Sequence, residues 1–162
     1  MELYLMQHGP SFAPEEDPGE GLTPQGREVV RHTGRALKRL DLVLDALTTS
    51  PKTRARQSAE IVASVLGFES RLIAQSELVK PMSPPEEVVD HLRNWAGSQR
   101  ILVVGHLPHL ARLASHLLSG QPDWVLVAFE RGGVCRIDLE NLGYPGRLVW
   151  CLPPLVTRTL GS

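Results

Sequence analysis

Apolar and polar positions along this chain alternate in blocks of two kinds. Short apolar runs occupy 2–6 (ELYLM), 44–50 (LDALTTS) and 100–105 (RILVVG), the last the clearest of them. Runs of this length are expected of strands buried in a parallel sheet. Between and after them apolar residues return at helical spacing. Val29, Val30, Thr33, Leu37 and Leu40 form one such stripe, and Ala55, Ala59, Val62 and Leu66 a second. Val88, Val89, Leu92, Trp95 and Ala96 form a third, and Leu110, Leu113, Ala114 and Leu117 a fourth.

The element boundaries carry their own signals. Thr23 is a natural N-cap, with Pro24 at the first helical position. Ser50-Pro51 opens the second helix and Gly67 closes it. Pro84-Pro85 precedes the third, Gly97 stops it, and Pro108 starts the fourth. Residues 71–75 predict a short strand, and GVCRIDLE with GRLVWCL predicts a hairpin around Gly143–Gly146. Strands alternating with helices predict an α/β fold, a three-layer α/β/α sandwich around a mostly parallel sheet. Residues 1–156 read as a single domain and 157–162 as a frayed C-terminal tail.

Composition narrows the function classes. The chain has 162 residues, a formal net charge of −1 and 42% hydrophobic residues, which suits an ordinary packed core. Charge so near balance offers no general nucleic-acid or membrane surface. No apolar stretch approaches the roughly 18 residues of a membrane span. MELYLM is too short and too acidic for a signal peptide, so the cytoplasm is the expected location. Cys135 and Cys151 are too few and too far apart for a zinc site, and are expected to be buried thiols. A hairpin over 134–152 would set them nearly opposite each other.

In open α/β sheets the site lies beyond the carboxyl ends of the strands. Three predicted strands end informatively: Gln7-His8-Gly9, Ser50-Pro51 with Arg54 soon after, and Gly105-His106. If these strands are neighbours, two histidines and an arginine meet at one mouth, with helix starts adding N–H donors. That set suits a phosphoryl group. His32, His91, His109 and His116 read as ordinary helix residues. His106-x-x-His109 lacks carboxylate or thiolate partners at ligand spacing, so no metal site is expected.

With these residues in view the chain resembles the histidine phosphatase superfamily, and within it the short SixA-type protein-phosphohistidine phosphatases. YLMQHG is similar to the first-strand motif ending Arg-His-Gly, and LTPQG (22–26) to the Leu-Thr-x-x-Gly that opens the first helix. TSPKTRARQSAEIV (49–62) resembles the Ser-Pro-x-x-Arg-Ala-x-Gln-Thr segment, with Ser58 where threonine is usual, and VVGHLPHL (103–110) the second histidine motif. The resemblance implies a phosphoglycerate mutase-like fold and a metal-independent phosphatase without cofactor. It implies that His8 is the nucleophile, forming a phosphohistidine intermediate, that Arg54 grips phosphate oxygens, and that His106 donates opposite His8. Thr23 and Ser50 read as helix caps first and site residues second. The implied substrate is phosphohistidine on a protein, for example a phosphotransfer protein, with a small phosphorylated substrate as the alternative; neither nucleic acid nor membrane is an expected partner. A phosphate ester would call for a general acid, for which Glu77 is the nearest candidate. The segment from Gly67 to Pro84 is too short for the capping insertion of larger relatives, which also favours a protein substrate.

Gln7 departs from the motif, where the family carries a second phosphate-binding arginine. It keeps a neutral donor in the phosphate pocket but loses the charge, at a cost of about 10²- to 10³-fold in rate. Three readings stay open: a slower but working phosphatase, an arginine brought from elsewhere (Arg27 and Arg31 on the first helix being nearest), or a pseudo-phosphatase that binds a phosphorylated partner without turnover. The acidic residues Glu15, Glu16, Asp17 and Glu20 are expected to form a solvated loop or to flank the mouth.

Overall fold

The computed structural model describes residues 1–93, 97–140 and 145–162. Six strands, β1 (Glu2–Gln7), β2 (Ala46–Thr49), β3 (Ala74–Gln75), β4 (Arg100–Gly105), β5 (Val134–Asp138) and β6 (Arg147–Leu152), form one sheet in the order β3-β2-β4-β1-β5-β6. β3, β2, β4 and β1 run parallel, and β5 runs antiparallel between β1 and β6. The helices are α1 (Pro24–Arg39), α2 (Thr53–Leu66), α3 (Pro85–Arg93), α4 (His109–Ser119) and α5 (Pro154–Leu160).

Both sheet faces are covered, as the unbroken apolar strands require. Leu3, Leu5, Ile101 and Val103 pack with Val88 and Leu92 of α3 and Leu110 and Leu113 of α4. The alternate residues Tyr4, Met6, Leu102 and Val104 face the other way, against Val30 and Leu37 of α1 and Ala59 and Val62 of α2. Fully buried side chains such as Leu5 and Leu102 each contribute about 2 kcal/mol over an exposed position. The sandwich therefore has three layers, with β4 and β1 at its centre.

Several local expectations change. The C-terminal residues do not fray: 154–160 form α5, which packs along α1. Arg39, in the last turn of α1, donates to the carbonyls of Leu160 and Ser162. Thr157 is fully buried, with its hydroxyl 3.1 Å from that of Thr33, and Thr33 in turn donates to the Gly132 carbonyl at 2.7 Å. Thr23 caps α1 as expected, accepting from Gly26 N at 2.9 Å. Ser50 does not cap α2, which begins at Thr53 behind Lys52; its hydroxyl accepts instead from Lys52 N at 3.3 Å. Cys135 and Cys151 do face one another across β5 and β6, but only Cys135 is buried, because β6 is the sheet's exposed edge. Trp95, Ala96 and Gly143 lie outside the described residues.

Candidate active site

The register of the central strands brings three chain ends level. Gln7 lies opposite Gly105, and Thr49 opposite Val104. The ladder runs one residue further on each side: His8 N donates to Gly105 O at 3.1 Å, and Ser50 N to Val104 O at 3.2 Å. His8 and His106 therefore leave adjacent strands at the same height, with ring centroids 4.9 Å apart and planes at 56°. Arg54, in the first turn of α2, completes the group: its Nε donates to His8 Nε2 at 3.2 Å.

The His8 turn is clamped from two sides. Gly9 N donates to Ser58 Oγ at 3.1 Å, and that hydroxyl donates onward to Arg54 O at 2.7 Å. One buried serine thus ties the turn to the helix that carries Arg54. On the other side, the start of α1 abuts the turn. A Cβ on Gly26 would lie 1.9 Å from Pro10 O, and one on Gly9 would lie 2.8 Å from Gly26 O. The HG and LTPQG motifs are therefore two halves of one backbone contact that only glycine permits.

The hydrogen bonds also settle the state of the His8 ring. Arginine is a donor only, so the nitrogen it meets, Nε2, must carry a lone pair. The proton then sits on Nδ1, which donates to Gly9 O at 2.7 Å. Burial holds the His8 pKa down at about 4, with the Gly9 carbonyl pulling it up and the cations of Arg54 and Arg131 pushing it further down. His106 is lower still, at about 3, through burial first and then His8, Arg54 and Lys52. Among the described residues, both nitrogens of His106 are buried without a hydrogen-bond partner. A neutral His8 imidazole thus faces a second imidazole that none of the described residues engages in a hydrogen bond.

Gln7, His8, Arg54 and His106 share an open cleft of about 610 Å³. Its apolar rim comprises Phe12, Ala13, Pro14, Pro81 and Leu107. Glu77 is not among the lining residues; its exposed carboxylate pairs with Lys80. Neither Arg27 nor Arg31 lines the cleft, and Arg31 pairs with Glu28 at 2.8 Å on the outside of α1. Two further charged residues line it: Glu20, from the acidic loop expected to be solvated or to flank the mouth, and Arg131, which sequence reasoning did not assign here. Glu20 holds Arg54 Nη1 at 3.0 Å, from a loop whose Asp17 accepts from Gly19 N and Gly21 N. Arg131 enters from the turn before β5. A second cleft, of about 550 Å³, lies at the opposite end of the strands; its Arg100, Arg136 and Arg147 are already paired with Glu2 and Asp138.

Residues 3–78 match the family model of the histidine phosphatase superfamily, branch 1. An uncharacterized protein of Picosynechococcus sp. is 31% identical over 129 residues, which is 75% of each chain. The chain belongs to the histidine phosphatase superfamily. Two solved members share its fold. The protein histidine phosphatase SixA complexed with tungstate superposes with a TM-score of 0.86 at 24% identity, over 96% of this chain and 98% of its own. The alpha-ribazole phosphatase from Shigella flexneri gives 0.76 at 17% identity, over 95% and 97%. At these identities the likeness establishes the superfamily fold, and the chemistry must be argued from the cleft itself.

Proposed function

We propose that this chain is a phosphatase that carries the phosphoryl group on His8 Nε2 and that its substrate is phosphohistidine on a protein. The observation that carries the reading is the ring state of His8: Nδ1–H tied to Gly9 O, and the Nε2 lone pair aimed into the cleft beside Arg54. In the resting site Arg54 holds that lone pair. An incoming phosphoryl group takes over the guanidinium, which grips its oxygens and releases Nε2 for in-line attack. As the Nε2–P bond forms, the P–N bond to the substrate imidazole breaks; the departing nitrogen takes the electron pair, and the ring leaves neutral because its other nitrogen already carries a proton. Water then attacks phosphorus, the bond to His8 breaks, and the water's proton passes to the phosphate released. His106 donates to a phosphoryl oxygen throughout.

The substrate class is supported by the leaving group and the rim. A protonated imidazole departs without a separate acid, and Glu77 lies away from the cleft. The apolar rim and open mouth suit a protein surface. A second reading, hydrolysis of a small phosphate ester, is favoured by one observation, that the Glu20 carboxyl group lines the same cleft beside Arg54. The test is phosphate release from a phosphohistidine-bearing protein in excess EDTA, with His8→Ala beside the native chain. Release that persists in EDTA and vanishes in His8→Ala supports the proposal. Phosphate binding without release would instead identify a pseudo-phosphatase.

A further inference from the structure

We propose that Arg131 is the second guanidinium of the phosphate site, steadied by the Gln7 side-chain oxygen, so that Gln7 and Arg131 together do the work of one arginine at position 7. The inference rests on the reading of the cleft as a phosphoryl site.

Gln7 is only 7% exposed, and its Oε1 is buried with no hydrogen-bond partner among the described residues. A buried acceptor left in that state is costly and calls for a donor. Arg131 lines the same cleft, is exposed, and makes no ion pair or side-chain hydrogen bond among the described residues. Its guanidinium offers five donors, enough to fork onto two phosphate oxygens and still reach one amide oxygen. The cleft thus holds an acceptor without a donor and a donor group without an acceptor.

The backbone keeps the two together. Gly132 N donates to Gln7 O at 3.1 Å and lies 3.0 Å from His8 O, while Gln7 N donates to Gly133 O at 3.1 Å. Gly132 has φ +88°, and a Cβ there would lie 2.4 Å from Val29 Cγ1, so the turn cannot easily slide or be rebuilt with another residue. The Arg131 charge reaches the nucleophile, being one of the cations that lower the His8 pKa. The other cation in the cleft, Arg54, is held by Glu20 in the resting site, and Lys52, which bears on His106, does not line the cleft. Arg131 is therefore the uncommitted cation that an approaching dianion meets. An arginine at position 7 would crowd a second bare guanidinium against it, which gives the glutamine a physical reason.

The experiment is a double-mutant cycle on the full chain: native, Arg131→Gln, Gln7→Arg, and both together. Two quantities are read, kcat/KM for phosphate release from a phosphohistidine-bearing protein and Kd for orthophosphate by calorimetry. Arg131→Gln is expected to weaken orthophosphate about tenfold and lower kcat/KM about 100-fold. Because Arg131 is exposed, the thermal midpoint should stay within about 2 °C of native. Gln7→Arg should recover at least about tenfold of the lost kcat/KM in the Arg131→Gln background and give less than about threefold in the native one. The proposal fails if Arg131→Gln leaves both quantities within about threefold of native, or if Gln7→Arg has the same effect in both backgrounds. Native protein that binds orthophosphate without releasing it from substrate overturns the catalytic reading alone, and the Kd cycle still decides the role of Arg131. Native protein that binds no orthophosphate at millimolar concentration overturns both.

Discussion

Glu20 sets a tension inside the cleft that a single substitution can measure. Its carboxylate lies 3.0 Å from Arg54 Nη1, the position that the proposed function gives to a phosphoryl oxygen. At an effective dielectric of about 20, the bare attraction at that distance is about 5 kcal/mol. Measured worths of solvent-exposed pairs are far smaller, about 0.2–1 kcal/mol, because water screens the charges and ordering two side chains costs entropy. Arg54 is 14% exposed and Glu20 31%, so the pair sits between those limits and near the lower one. A net of about 1 kcal/mol corresponds to about fivefold in affinity. Glu20→Gln should therefore lower the inhibition constant of orthophosphate, and the KM of substrate, about fivefold, with kcat within about twofold of native. The assay is competitive inhibition of phosphate release at fixed pH and ionic strength. An unchanged or weaker inhibition constant would refute the competition argued here. A kcat loss above about tenfold on an alkyl phosphate, at unchanged KM, would instead make Glu20 a proton donor.

Two further outcomes follow from the geometry. His8 and His106 hold pKa values of about 4 and about 3 in the fold, against 6.5 for free imidazole, so between those values the unfolded chain binds more protons than the folded one. Stability is then complete above about pH 6.5 and falls by a few kcal/mol as pH drops to about 4, a fall that His106→Asn should shrink in urea unfolding at the two pH values. Equal stability of the native chain at both would contradict the assignment. In the same way, kcat/KM should hold down to about pH 5 and collapse only as His8 gains its proton. Gly26→Ala would place a methyl group 1.9 Å from Pro10 O, between two backbones with no side chain to yield. It should cost about 3 kcal/mol or more in thermal or urea unfolding; a variant as stable as native would show that the two motifs do not meet as described.

Much of this architecture is written in local pattern, and the exceptions are instructive. The strands carrying His8 and His106 announce themselves as apolar runs, and α1 by its Thr23-Pro24 start, because burial and capping act over a few residues. The helix boundary at Ser50 is displaced: Lys52 stands at the cap position without a side-chain capping bond, and the first helical residue is Thr53. The ordering of α5 is invisible in TRTLGS itself. It depends on Arg39 and Thr33, more than a hundred positions earlier in the chain. The charges of the cleft divide the same way. Arg54 follows a strand end directly and can be placed from its motif. Arg131 precedes a strand, and strand beginnings point away from the site in a parallel sheet; only the antiparallel insertion of β5 beside β1 brings its start to the mouth. Glu77 fails for the converse reason: it follows β3 at the correct end of the sheet but at its far edge, two strands out from the central pair.

The buried hydroxyls of Thr33 and Thr157 give the chain's last helix a reach beyond its own packing. Thr157 sits against Thr33, Thr33 holds the Gly132 carbonyl, and Gly132 N bonds back to the Gln7–His8 backbone. Three short links therefore join α5 to the His8 turn. Trimming the chain at the end of β6, or prying α5 off with a fused domain, would admit water to that relay and slacken the turn from behind. A tag fused directly behind α5 is therefore not a neutral choice. Met1 lies at the end of β1 away from the mouth, so an extension there loads the sheet and leaves the His8 turn alone.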